Sequence, residues 1–258
     1  MSLTSAKIIL ALTLISTQYI AVSHAAPQNT TPFFTSNFND ASTLPAFSLF
    51  APAGFTPTQD YFSFSLGGVS NIPTTEGAIS LGFGLALPSD FGVSLNVDMD
   101  IKNLSKRQEL SMTTGKYLSS WDASISLGIR NVTLWHDDGS QNVPSVYIAA
   151  SKILVLDNQL VILNAGLGNN DFRTIADTAS STVRAKTVSP FVSAAYYPFA
   201  RTSVIADYTA GIMSLGIGLV PFSSLPINIS VGVYDLTKAI PTHTGTSILA
   251  SASIAYGF

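Results

Sequence analysis

The chain has no cysteine among its 258 residues. That excludes disulfides, thiolate metal sites, a cysteine nucleophile and a lipid-modified cysteine anchor. Charge is also scarce. Only 10% of residues are charged against 47% hydrophobic, where an ordinary soluble domain carries roughly 25% charge. The net charge is −3 with no basic run, so nucleic acid is not an expected partner. Beyond the first two dozen residues no apolar stretch approaches the ~18–20 residues of a spanning helix. These absences leave three classes open: a membrane β-barrel, a fibre subunit, and a low-charge secreted β protein.

What is present begins with a processing signal. Lys7 precedes the apolar run "IILALTLI" (Ile8 to Ile15), and a small-residue site lies around Ser23–His24–Ala25. This pattern predicts a cleaved signal peptide over residues 1–25 and export from the cytoplasm. Residues 26–58, rich in Pro, Thr, Asn, Ser and Phe, read as an irregular periplasmic leader or plug. Residues 59–258 read as a second, β-structured domain.

There the texture is period two. In "FGVSLNVDMDI" the positions Phe91, Val93, Leu95, Val97, Met99 and Ile101 are apolar, and Gly92, Ser94, Asn96, Asp98 and Asp100 are polar or small. Successive strand side chains point to opposite faces, so one face is apolar throughout; a helix would mix the two sets. About twelve such runs follow, each near the length a tilted membrane strand needs. They centre on 59–68, 76–86, 91–102, 105–115, 121–135, 143–153, 159–168, 188–197, 200–208, 211–220, 226–235 and 246–258. Parity slips around Asn131, which predicts a β-bulge. With both termini periplasmic, the short connections fall on the periplasmic side and the long ones, such as 169–187, outside, as bacterial barrels require. A soluble sandwich would need charges on its polar face; here that face is mostly Gly, Ser, Asn and Ala. The expectation is an all-β, transmembrane, antiparallel up-and-down barrel of about twelve strands in the bacterial outer membrane, with outer-membrane lipid as a partner.

Interfacial aromatic girdles are expected of such a barrel. Phe91, Trp121, Phe222, Tyr256 and Phe258 fall at one set of predicted strand ends, and Trp135, Tyr208 and Tyr234 at the other. Asp98, Asp100, Glu109, Arg130 and Asp207 are the candidates for lining the lumen. The Gly-x-Gly pairs at 82/84, 166/168 and 216/218 lie within strands and lack the third glycine and helix of a phosphate loop; they read as small inward residues. His136 and His243 fall in predicted loops without a serine and an orienting partner, and "HDDGSQN" lacks calcium-loop spacing. No catalytic residue, metal or cofactor is expected.

"VIADYTAGIMSLGIGLVPFSSLPINISVGVYDLT" (Val204 to Thr237) resembles the C-terminal barrel region of the YjbH-like outer-membrane family, and "SLFAPAGFTPTQDYFSFSLG" with "GAISLGFGL" is similar to porin-like envelope barrels. The resemblance implies an outer-membrane barrel connected with exopolysaccharide production or export. "SILASASIAYGF" resembles the closing strand of such barrels, whose terminal aromatic, here Phe258, is recognised by the barrel assembly machinery. The functional expectation is a narrow passive pore or envelope-accessory barrel with small solutes or polysaccharide as cargo. A barrel-wall hydrolase is the less favoured alternative.

Overall fold

The computed structural model describes residues 44–70, 75–101, 104, 107–136, 143–156, 159–174, 188–222, 225–240 and 246–258. The expected signal peptide and residues 26–43 of the expected leader lie outside the described residues.

Alternation becomes structure directly. Twelve strands form: β1 (Tyr61–Ser70), β2 (Thr75–Leu87), β3 (Phe91–Asp100), β4 (Arg107–Leu118), β5 (Ala123–His136), β6 (Ser145–Leu156), β7 (Gln159–Gly168), β8 (Ser189–Phe199), β9 (Thr202–Thr209), β10 (Ile212–Leu219), β11 (Ile227–Tyr234) and β12 (Ser247–Gly257). Each pairs antiparallel with its sequence neighbours, and the sheet closes into a barrel. The seam runs in register from Tyr61↔Gly257 to Ser70↔Ile248. Closure removes the free edges that backbone N–H and C=O groups would otherwise present unpaired.

The hairpin turns match the strand twist. Ser89 and Asp90 have φ of 65° and 63° between β2 and β3, and Ala210 and Gly211 have φ of 57° and 82° between β9 and β10. Two successive positive-φ residues define the mirror-image turn that right-twisted hairpins favour. The connections at the end where β1 starts and β12 finishes are short, and the long connections 169–188 and 235–246 join strands at the other end; bacterial barrels keep their short turns in the periplasm, so the first end is called periplasmic and the second outer.

The two strand faces have opposite chemistry. Every strand carries large apolar side chains on its exposed parity, among them Phe62 and Phe64 on β1, Leu127 on β5, Ile148 on β6, Val204 on β9, Leu215 and Ile217 on β10, and Ile254 on β12. A water-soluble monomer rarely exposes a contiguous apolar patch of more than a few hundred Å²; this belt runs round the whole barrel. Its solvent is lipid, and the fold is that of an outer-membrane β-barrel. The buried parity faces the lumen and is mostly small and polar: Ser94, Ser111, Ser126, Ser151, Asn164, Ser193, Ser203, Ser214, Asn228 and Ser251.

Register breaks only locally. Pairing of β4 with β5 shifts between Gln108 and Glu109 and between Leu110 and Met112. Asn131 has φ of 58°, and the consecutive residues Arg130 and Asn131 are both buried. The bulge lies where parity slips in the sequence, and it turns two adjacent side chains to one face.

Candidate functional site

The lumen holds a segment of the chain itself. Residues 44–58, which precede β1, run inside the barrel. Leu44 C=O accepts from Asn228 Nδ2 at 3.0 Å and Ala46 N–H donates to Asn228 Oδ1 at 3.3 Å, near the periplasmic start of β11. Tyr197 OH donates to Pro45 C=O at 3.0 Å, and Ser203 Oγ donates to Ala46 C=O. The chain then rises to an apex and returns. On its descent Ser126 Oγ donates to Ala53 C=O at 2.9 Å and Gly54 N–H donates to Ser151 Oγ at 2.7 Å. It reaches β1 at Asp60, whose C=O accepts from Phe258 N–H at 3.0 Å.

The apex is built around one carboxylate. Asp207 Oδ2 accepts from three successive backbone N–H groups, those of Leu49, Phe50 and Ala51, at 3.1, 3.0 and 2.9 Å, and lies 2.8 Å from Ser48 Oγ, whose single proton it shares with Ala51 C=O at 2.6 Å. The other Asp207 oxygen accepts from Thr209 Oγ1 at 2.9 Å. Asp207 is 2% exposed. Successive N–H groups pointing inward form an anion-binding concavity, and hydrogen bonds to a charged acceptor are the stronger kind.

Packing completes the seat. Phe47, Leu49, Ala53 and Phe55 of the insert join Leu160, Ile162, Ala195, Ile205 and Leu249 of the wall in one buried cluster. Phe47 and Phe55 meet edge to face at 5.6 Å, and Phe50 lies 5.0 Å from Tyr234. Insert and wall each carry a glycine where they come close. A Cβ on Gly54 would meet Ser151 N, Ser124 O and Ala150 C at 2.5–2.8 Å, and one on Gly218 would meet Ala46 N at 2.9 Å and Ala46 O at 3.1 Å.

A second closure lies at the outer end. Just past β7 a short 3-10 turn, Asn170–Phe172, brings Phe172 inward. There Phe172 packs with Tyr147, Phe191 and Ala51. Asn131 Nδ2 donates to Asp171 Oδ2, and the Arg130 guanidinium sits 5.5 Å over the Phe172 ring. The bulge in β5 thus supplies two of the side chains that hold this turn; Ser145 Oγ, accepting from Asp171 N–H at 3.2 Å, is another.

The five acidic and basic candidates separate into two groups. Asp98 and Glu109 face each other in register across β3 and β4. Ser111 Oγ donates to Asp98 Oδ2 at 3.4 Å, and Ser80 and Arg130 also act on Asp98. Like charges directly opposite are unfavourable; Arg130, one strand further, offsets them. Asp100 lies on the same parity at the outer end of β3, in register with Ala78. Asp207 stands apart on β9, six strands from β3 and four from β5 in the closed order, and holds the insert.

Of the aromatic candidates, Phe91, Trp121, Phe222, Tyr256 and Phe258 are exposed at the periplasmic end, and Tyr208 is exposed at the outer end of β9. Trp121 precedes β5, in the 3-10 turn Ser119–Trp121, instead of starting the strand. Tyr234 corrects the expectation: it is 3% exposed and turned into the lumen. It shares the parity of Asn228, Ser230 and Gly232, so the pleat points it inward; position at a strand end is not enough to make a girdle residue. Trp135 lies in β5, but its side chain is outside the described residues, as are the His136 side chain and all of His243. Sequence reasoning missed Ser48, Gly54, Tyr197, Ser203 and Asn228; the signal was there in the apolar "PAFSLFAPAGF", too rich in Phe and Leu for a solvated leader.

No protein-family description matches the chain. No curated protein matches it either. Among solved structures it is similar to the KdgM porin at 12% identity, with 75% of this chain and 99% of that one aligned and a TM-score of 0.49. It is similar to the outer membrane phospholipase A of Escherichia coli at 11% identity, with 77% and 97% aligned and a TM-score of 0.45. It is similar to an outer membrane channel of Pseudomonas putida F1 at 8% identity, with 78% and 96% aligned and a TM-score of 0.45. At these identities and scores the function has to be argued from the chain's own residues.

Proposed function

We propose that this protein is a narrow passive pore of the outer membrane that its own residues 44–58 hold shut. The observation that carries the reading is the Asp207 carboxylate, buried in the lumen wall and bound by three backbone N–H groups and the Ser48 hydroxyl of the insert's apex. A buried carboxylate is costly unless its oxygens are satisfied. Here the satisfaction comes from a segment that enters and leaves by the same end, an arrangement suited to reversible closure. The remaining inward side chains, largely Ser, Asn and Gly, suit water once the insert is withdrawn. In this reading the residues act by filling and solvating a lumen, not by bond chemistry.

A second reading has its own support. Ile162, Ile205 and Leu249 are fully buried against the insert, and wetting them would be unfavourable. This supports a permanently filled envelope-accessory barrel, to which the YjbH-like resemblance adds exopolysaccharide export.

Planar-bilayer recording separates the two. The refolded full chain should be silent or open rarely, and Asp207→Ala should give discrete conductance steps, because three backbone N–H groups lose their acceptor. If the folded variant stays at lipid background, the pore is refuted and the accessory barrel stands.

A further inference from the structure

The lipid-facing surface carries one chemical anomaly. Among the described side chains on outward strand positions, only Lys116 and Lys152 are charged. Both are cations, and both lie toward the periplasmic rim. They sit on β4 and β6, the strands flanking β5: Lys116 is in register with Ile125 and Lys152 with Ala123. Asp98, Glu109, Arg130 and Asp207 all take the inward parity.

Each lysine is held rather than loose. The Lys116 ammonium lies 5.0 Å over the Phe91 ring, its cross-strand partner. The Lys152 ammonium donates to the Trp121 carbonyl. An ammonium has three donors, so neither contact exhausts it. Trp121 stands beside them, 66% exposed, and above the pair β5 presents Ile125 and Leu127 and β6 presents Ile148, all exposed. Asp90 and Asp122 lie in the adjoining turns, and the Asp122 carboxylate is taken by Tyr117 OH at 3.3 Å.

We infer that Lys116, Lys152 and Trp121 form a seat for the headgroup phosphate of a net-negative phospholipid in the periplasmic leaflet, its acyl chains lying along the apolar outer face of β5. Long cationic side chains reach from the bilayer edge toward headgroups, and a tryptophan ring sits naturally at that depth. Two lysines from alternate strands give the double positive charge that a zwitterionic headgroup does not need and an anionic one does. The seat is independent of whether the lumen conducts.

Native mass spectrometry of the full chain, folded in detergent and offered phosphatidylglycerol and phosphatidylethanolamine with the same acyl chains, tests this. At about 1 kcal/mol per lysine near an anionic surface, wild type should retain phosphatidylglycerol over phosphatidylethanolamine by about tenfold or more. Lys116→Gln with Lys152→Gln should abolish the preference while heat-modifiable gel mobility stays unchanged. Raising salt should erode it in wild type, which keeps the test open if the double variant folds poorly. A wild-type protein without preference, a preference that survives both substitutions or high salt, or displacement of the lipid by equimolar inorganic phosphate each overturns the assignment.

Discussion

Asp207 and Gly54 show how single residues decide the state of this lumen. Asp207 is an acceptor whose hydrogen bonds come from backbone N–H groups and hydroxyls. Gly54 is the opposite case, a position defined by lack of a side chain. Its neighbours on three sides are backbone atoms of β5 and β6, which cannot step aside as a flexible side chain would. Overpacking of this kind costs ~1–3 kcal/mol. Gly54→Ala is therefore expected to unseat the descending limb of the insert while the strands stay paired. Limited proteolysis should then cut within residues 44–58 at least several-fold faster than in wild type, and equal rates would refute the tight seat. The sequence made the inward charges legible, because parity alone places Asp98, Asp100 and Asp207. It did not distinguish their roles. Asp98 and Asp207 have the same parity and chemistry, and only the insert's path separates them.

At the scale of elements, alternation carried most of the information. All twelve strands lie within three residues of the runs read from the pattern, because a strand with lipid on one side and a packed lumen on the other cannot slip by one residue without inverting both faces. The β5 bulge was legible for the same reason: two like residues in a row break the period. Tyr234 was misread where parity was ignored. The insert was legible only as an irregular leader or plug over 26–58, without its path or its partners. Its apolar residues have no period, since it packs on all sides within a lumen and belongs to no sheet or helix. The bulge also has a consequence for stability. Asn131 combines a left-handed backbone with the hydrogen bond to Asp171. Asn131→Val loses both, and a β-branched residue at positive φ is a steric outlier; it should cost ~2–3 kcal/mol. Asn131→Gly keeps the backbone comfortable and should cost ~1 kcal/mol. Urea unfolding of the two variants should rank them in that order, and the reverse order would refute the bulge as the support of the outer closure.

The whole molecule is a closed sheet with its hydrophobic side outward, and its address follows from that inversion. Closure depends on the last strand. Phe258 donates its N–H to Asp60 at 3.0 Å while its ring is exposed at the periplasmic rim. Phe258→Ala keeps the backbone bond and removes the ring. If the ring is the feature that the assembly machinery reads, the substitution should lower the heat-modifiable, membrane-inserted fraction in cells several-fold while leaving detergent refolding of the purified chain intact. Unchanged membrane levels would refute a signalling role for the ring, and failed refolding would assign it to stability instead.

The insert's route has a mechanical meaning. Among the described residues, Leu44 and Asp60 both stand at the periplasmic end, so the segment between them is a bight and not a thread. A pull on Leu44 toward that end would draw the slack out on one side of the membrane, breaking the bonds between the bight and the lumen side chains one after another, as a slip loop runs free. The wall hydrogen bonds, which lie across the strands and load together, would not be called on to yield.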